Sequence, residues 1–369
     1  MKIGIVSRIH GINYGANLQA LALQRTLESL GSESEYIDFE VEVHPKGFRK
    51  ILNVANNFVR DFLGYRKRLF KTLAFKSRNI KLSQECKTID EVESLSNSYD
   101  CLMTGSDQIW NPRYYGTSQG LYLLEFNSSK PKISYASSFG VSNLPESIKD
   151  KYKESFGKFD RLSVREEIGK RILHDLGIER EIREDIDPTL LLTEEEWKDY
   201  FPEEPVVKKR YLLCYVMPGA DNLNKYILSL AKNLKTENKV QEVIVLGDKE
   251  YKGLLSNFKF VRTADPSDFL NYVYNADYIL TSSFHGTCFS IIFNKKFLSV
   301  LDPQNKFNSR IENLLERAQL SNQILYKGKE NAVDFNIDYK NVNQLLKSLR
   351  EDSKEYLSSI INDLRNKNL

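Results

Sequence analysis

The stretch that most limits what this chain can fold into is DYILTSSFHGTCFSIIFNKKFLSV, residues 277–300. An apolar strand there runs into a polar turn carrying His285 and then into a helix. Such a junction leaves the first amide groups of the helix unpaired and pointing outward, which suits a bound phosphate or carboxylate. An anion held there would lie against Ser282, Ser283, His285, Gly286 and Thr287. Only 4 histidines occur in 369 residues. A core or capping histidine is the competing reading, but strand-end turns of α/β sheets are where ligands bind, so a site histidine is preferred.

The same alternation runs through the chain. Lys2 to Ser7 reads as a strand, HGINYGAN as a polar loop, Leu18 to Leu30 as a helix stopped by Gly31, and Glu35 to Phe39 as a second strand. Strand-like segments come next at Tyr99–Thr104, Lys132–Ala136 and Arg161–Val164, each ending in a small, polar or charged turn. A linker-like stretch between Leu192 and Arg210 then separates a second series. Its strands are Tyr211–Val216, Gln241–Leu246, Lys259–Arg262, Tyr278–Leu280 and Phe297–Val300. Helices are expected around Leu223–Leu234, Pro266–Asn275, Thr287–Phe293 and Ser309–Ala318. Strands alternating with helices indicate largely parallel sheets whose strand ends gather in one crevice. The expected architecture is α/β, with two doubly wound Rossmann-like domains facing a cleft. Residues 1–195 form the N-terminal domain, 211–345 the C-terminal domain, and 346–369 a terminal helix. No GxGxxG is present, so a dinucleotide fingerprint is not supported.

A chain of 369 residues exceeds the ~250–300 at which one core stops growing, which agrees with two domains. The apolar run before Ser7 is too short for a signal peptide or a membrane span, so the N-terminus reads as a first strand and the protein as cytoplasmic. Cys86, Cys101, Cys214 and Cys288 show no metal-ligand spacing and read as free thiols. Cys288, close to His285, reads as a packing residue rather than a nucleophile. No metal site is expected. A net charge of +3 argues against a nucleic-acid partner.

The charge is unevenly spread. Between Lys46 and Lys81 eleven basic residues stand against Asp61 alone, interleaved with apolar residues at helical spacing. This insertion, about residues 45–81, reads either as a surface element attracted to anionic lipid on the inner membrane face or as a packed helical insertion with a solvated basic face.

Four motifs occur together: NYGANLQALALQ at 13–24, GSDQIWNP at 105–112, SYASSFG at 134–140 with SVRE at 163–166, and SSFHGTCFSIIFNKKF at 282–297. With DPTLLL at 187–192, they make residues 1–325 resemble the polysaccharide pyruvyl transferase family. The resemblance implies a GT-B-like fold and transfer of a pyruvyl group from phosphoenolpyruvate to a sugar of a surface glycan or its lipid-linked precursor, commonly as a cyclic ketal. Phosphoenolpyruvate would be the donor substrate, with no further cofactor. Other readings are a nucleotide-sugar glycosyltransferase on the same framework and a non-catalytic glycan-assembly protein.

That chemistry needs cations for a carboxylate and a phosphate, together with an acid and a base. His285 would supply a proton or hold the phosphate. Many family members carry arginine where this chain has Ser283, so the cation must come from elsewhere: Arg310 first, then Arg165 or Lys306. Asp107 is the candidate base, with strand-end capping as its alternative. Asn13, Tyr14, Gln19, Gln108 and Trp110 are assigned to the acceptor. For Asn13 a turn-setting role weighs equally, and for Trp110 and Tyr135 a core role is the safer reading.

Overall fold

The computed structural model describes residues 1–39, 64–114, 119–237, 240–247, 258–305, 308–329 and 334–367. Lys306 and residues 45–63 of the basic insertion lie outside them. The chain divides into two compact units. The first takes residues up to His44, Lys76–Leu192 and Leu345–Leu369; the second takes Pro45–Phe75 and Thr193–Gln344.

In the first unit, strands β1 (Lys2–Val6), β2 (Glu33–Phe39), β3 (Leu82–Cys86), β4 (Cys101–Thr104) and β5 (Lys132–Ser134) form a parallel sheet in the order β3-β2-β1-β4-β5. Strands β6 (Leu162–Val164) and β7 (Ile182–Glu184) pair in parallel beside it, and single bridges from Ile133 to Arg161 and from Ser137 to Val164 continue the sheet. In the second unit, β8 (Tyr211–Tyr215), β9 (Glu242–Leu246), β10 (Lys259–Val261), β11 (Tyr278–Thr281), β12 (Lys296–Leu301) and β13 (Ile324–Tyr326) are parallel in the order β10-β9-β8-β11-β12-β13. Both orders reverse at one point, between β1 and β4 and between β8 and β11, as in doubly wound folds.

The central strands are buried on both faces. KIGIV, CLMT, YLLCY and EVIVL are therefore near-continuous apolar runs rather than alternating ones. In the first unit Trp110, Phe139, Tyr152, Phe156 and Phe159 form an aromatic cluster within the core.

Helices begin earlier than apolar spacing suggests. The first spans Tyr14–Ser29, because the Asn13 side chain accepts from the Ala16 amide and caps it. The helix after β11 spans Phe284–Ile292 rather than starting at Thr287. The terminal helix spans Tyr339–Lys367. Its first turn belongs to the second unit, where the Tyr339 hydroxyl donates to the Lys295 carbonyl. From Leu345 it belongs to the first unit, where Arg350 donates to the Leu190 carbonyl at 2.9 Å and Arg183 pairs with Asp352 at 2.6 Å.

The described part of the basic insertion is a helix, Tyr65–Asn79. Its residues up to Phe75 group with the second unit, where Lys71 pairs with Asp268.

Candidate functional site

Strand β11 ends at Thr281, whose hydroxyl organises the junction with the helix. Thr281 Oγ1 donates to the Tyr215 carbonyl at 3.0 Å and accepts from the Ser283 amide at 3.0 Å, tying the end of β11 to the end of β8 at the switch point. Ser283 is extended (φ −97°, ψ 133°), and its hydroxyl caps the next helix by accepting from the Gly286 amide at 3.3 Å. His285 is therefore the second residue of the helix itself, not part of a preceding turn. It lies 9 % exposed at the sheet's carboxyl edge. The Ser283 hydroxyl is committed to capping, so it does not stand in for an arginine.

Gly286 allows the helix to sit this close. A Cβ there would lie 2.4 Å from Thr281 Oγ1 and 2.9 Å from the Tyr215 ring. Thr287 donates to the Ser283 carbonyl at 3.1 Å and bonds Ser299 Oγ of β12 at 2.7 Å, locking the helix to the sheet. The Ser282 hydroxyl oxygen is buried and meets no hydrogen-bond partner among the described residues, so it is placed to bond a ligand.

Arg310 opens the helix Ser309–Arg317 and is half-buried. Its guanidinium lies 5.9 Å from the centre of the Phe284 ring, whose edge meets the His285 ring at a centroid distance of 5.2 Å. Imidazole and guanidinium thus pack on the same phenyl ring, with Ser282 and the helix start beside them. A proton carrier, a planar cation and the positive end of a helix form an arrangement that can hold an anion and move one proton. Cys288 is fully buried in this helix, and all four cysteines are free.

In the first unit the equivalent edge is built by the loops after β1 and β4. Asp107 lies beyond β4 with φ 85°, in the left-handed region where a non-glycine residue is strained by about 1–3 kcal/mol. Its carboxylate is half-exposed and takes no hydrogen bond or ion pair among the described residues. Such strain is kept where surrounding structure enforces it, often at sites. Gln108 packs on Gly140, whose φ of 61° and lack of Cβ make room for it. Asn13 is exposed and caps its helix.

Other expected acceptor residues do not reach the surface. Gln19 is fully buried with its amide donating to the Ala16 carbonyl at 3.1 Å, and Tyr14 is 1 % exposed. Trp110 is buried in the aromatic cluster, and its indole N–H donates to the Tyr122 carbonyl at 3.2 Å. Tyr135 is likewise buried, donating to Ile186. These groups hold the loops from within the core.

Arg165 also departs from the sequence expectation. It is 3 % exposed and grips two carboxylates, Glu166 from Nε and Asp187 from Nη1, each at 2.8 Å. Asp187 in turn accepts from Ser106 at 3.2 Å and from the Thr189 amide and hydroxyl. Burial works against the charged guanidinium, but Glu166, Asp187 and the nearby Asp107 outweigh it and hold Arg165 firmly protonated. The SVRE, GSDQ and DPTLLL segments are thus pinned together by a buried ion cluster rather than presenting a donor-site cation.

One residue escapes the reading of the sequence. His10, in the loop after β1, sets Nε2 3.3 Å from Asp38 Oδ1 at the end of β2. The contact places a carboxylate beside the imidazole without the geometry of a hydrogen bond. The available signal is a scarce histidine in a strand-end loop. Among the described residues no cluster of three or more His, Cys, Asp or Glu is placed to hold a metal, and no helix is long and apolar enough to cross a membrane.

Two parallel α/β units of this strand order, with a last helix running from the second into the first, define a GT-B-like fold. The UDP-GlcNAc 2-epimerase from Methanocaldococcus jannaschii shares it with a TM-score of 0.54 at 14% identity, over 94% of this chain and 92% of that one. The epimerase from Rickettsia bellii matches with a TM-score of 0.53 at 13% identity, over 99% and 96%. The M. jannaschii enzyme in complex with UDP-GlcNAc and UDP gives 0.52 at 14% identity, over 98% and 99%. At these identities the likeness is one of fold. No curated protein matches the chain by sequence. The chain belongs to the polysaccharide pyruvyl transferase family, whose family model matches residues 13–305.

Proposed function

We propose that the protein transfers the pyruvyl group of phosphoenolpyruvate to a sugar of a surface polysaccharide or its lipid-linked precursor, forming a pyruvate ketal. The observation that carries this reading is the pairing of His285 and Arg310 on Phe284 at the strand-end edge of the second unit. Phosphoenolpyruvate is a small dianion-to-trianion, and its two anionic groups match a guanidinium and a helix start. Its methylene carbon takes a proton from His285 and becomes the methyl group, while a sugar hydroxyl adds to the neighbouring carbon and loses its proton to a base. The carbon–oxygen bond to phosphate then breaks, a second sugar hydroxyl adds to the same carbon to close the ketal, and inorganic phosphate leaves with that hydroxyl's proton. Asp107 is the proposed base, with the His10–Asp38 pair as the first unit's other acid–base group.

Membership of a transferase family supports this reading over a non-catalytic role. The second reading is a nucleotide-sugar glycosyltransferase, favoured by a fold shared with an enzyme seen with UDP-GlcNAc and UDP. The leaving group separates them. Calorimetry should show phosphoenolpyruvate binding that weakens at least tenfold in Arg310→Ala, with Arg310→Lys between the two. Unchanged affinity in Arg310→Ala would remove that residue from the donor site.

A further inference from the structure

A cavity of about 390 Å³ opens within the first unit, between the amino ends of β6 and β7 and the terminal helix. Asp160 and Arg161 lead into β6, Arg180 and Glu181 lead into β7, and the helix contributes Asp352 and Glu355. Strands β6 and β7 run parallel to β1 and β4, so the cavity lies at the opposite end of the sheet from His10 and Asp107. Its volume is within the roughly 300–1,000 Å³ of small-molecule sites, but its wall is polar where theirs are mostly apolar.

The charges on that wall decide what it can hold. The guanidinium groups of Arg161, Arg180 and Arg183 stand among the carboxylates of Asp160, Glu181, Asp352 and Glu355. An anion meets the carboxylates and a cation meets the guanidinium groups, so neither sign of charge is drawn in strongly. The fold already uses part of this set. Arg183 pairs with Asp352 at 2.6 Å and lies 5.1 Å over the Tyr356 ring, while Arg161 pairs with Asp363 at 2.7 Å. Asp160 accepts from the Lys132 amide at 2.9 Å. Three groups are left over. Glu181 and Glu355 take no hydrogen bond or ion pair among the described residues, and Arg183 Nε is buried with no acceptor there. Two unused acceptors and one buried, unused donor match groups that donate and accept at once, which is the chemistry of sugar hydroxyls.

We propose that this cavity binds a neutral stretch of glycan, with Glu181 and Glu355 accepting from its hydroxyl groups and Arg183 Nε donating to one of them. The ligand class follows from the wall itself. Its role, holding a polymeric acceptor at a distance from the reacting carbon, rests on the proposed function.

The experiment is calorimetric titration of the full chain with neutral hexasaccharides of glucose, galactose, mannose and N-acetylglucosamine, and with glutamate and inorganic phosphate as charged probes. At least one hexasaccharide should bind, and neither charged probe should displace it. Glu181→Ala with Glu355→Ala should weaken that binding about tenfold or more. Arg183→Lys keeps a cation for Asp352 but removes the Nε donor, and should weaken it about threefold or more. Circular dichroism checks that each variant is folded. The titrations use no phosphoenolpyruvate, so their failure leaves the donor-site reading standing, and failure of that reading leaves the cavity's ligand unchanged. Binding of none of the hexasaccharides, or unchanged affinity in the Glu181/Glu355 variant, would overturn the inference. Glutamate or phosphate binding that disappears in that variant would also overturn it and make the cavity a site for charged ligands.

Discussion

Arg165→Met separates the structural role of the buried ion cluster from a role in donor binding. In the parent, the guanidinium meets Glu166 and Asp187 at 2.8 Å each, and all three residues are 3 % exposed or less. Methionine fills much of the volume and leaves two carboxylates without their cation. Asp187 keeps Ser106 and Thr189 as donors, whereas Glu166 keeps no hydrogen bond or ion pair among the described residues. Removing one partner of a buried pair costs about 3–5 kcal/mol, because the other charge is left buried without compensation. Urea unfolding of parent and variant measures it. A loss under about 1 kcal/mol would refute a structural ion cluster. Unchanged stability with lost phosphoenolpyruvate affinity would return Arg165 to the donor site.

The same geometry gives three further outcomes. Gly286→Ala should destabilise by about 1–2 kcal/mol: overpacking against Thr281 and the Tyr215 ring costs about 1–3 kcal/mol, and the helix-propensity gain of up to about 1 kcal/mol offsets part of it. Equal or greater stability in denaturant would contradict the close approach. Burial raises the Asp185 carboxyl above its ordinary 3.8 despite the Ser163 hydrogen bond and Arg183, so the folded state holds the extra proton and stability is lost as pH rises from that value through the folded pKa. Asp185→Asn should flatten this decline in a pH series of unfolding curves; parallel curves would show that Asp185 does not cause it. Excess chelator should leave turnover intact, and a rate restored only by a divalent ion would overturn catalysis by helix ends and cations alone.

The centre of each sheet is legible because strands buried on both faces are written as apolar runs, and the strand–helix junction at His285 stands out for that reason. Three edge strands are not: LSQEC of β3 and IRE of β7 pair on one side only and carry no run of apolar residues, and ILY of β13 is only three residues long. Apolar spacing puts the start of the His285 helix three residues late, because the Ser283 cap acts through a hydrogen bond that such spacing does not register. Arg165 shows a different limit. Its charge is visible in the sequence, but its burial depends on Asp187, which is 22 residues away and brought beside it by a separate strand. His10 likewise becomes notable only when β2 places Asp38 beside it. The positive φ of Asp107 has no sequence signature at all.

If His285 serves a phosphoenolpyruvate site, phosphate release must depend on it. Purified protein is incubated with phosphoenolpyruvate and lipid-linked sugar acceptors, and inorganic phosphate is measured over time for the parent, His285→Ala and His285→Asn. The parent should release phosphate only in the presence of acceptor, and His285→Ala should release none. His285→Asn, which still donates a hydrogen bond but carries no titratable proton, should retain donor binding better than rate. Phosphate release by His285→Ala at the parent rate would contradict the claim, as would UDP release from a UDP-sugar by a parent that leaves phosphoenolpyruvate untouched.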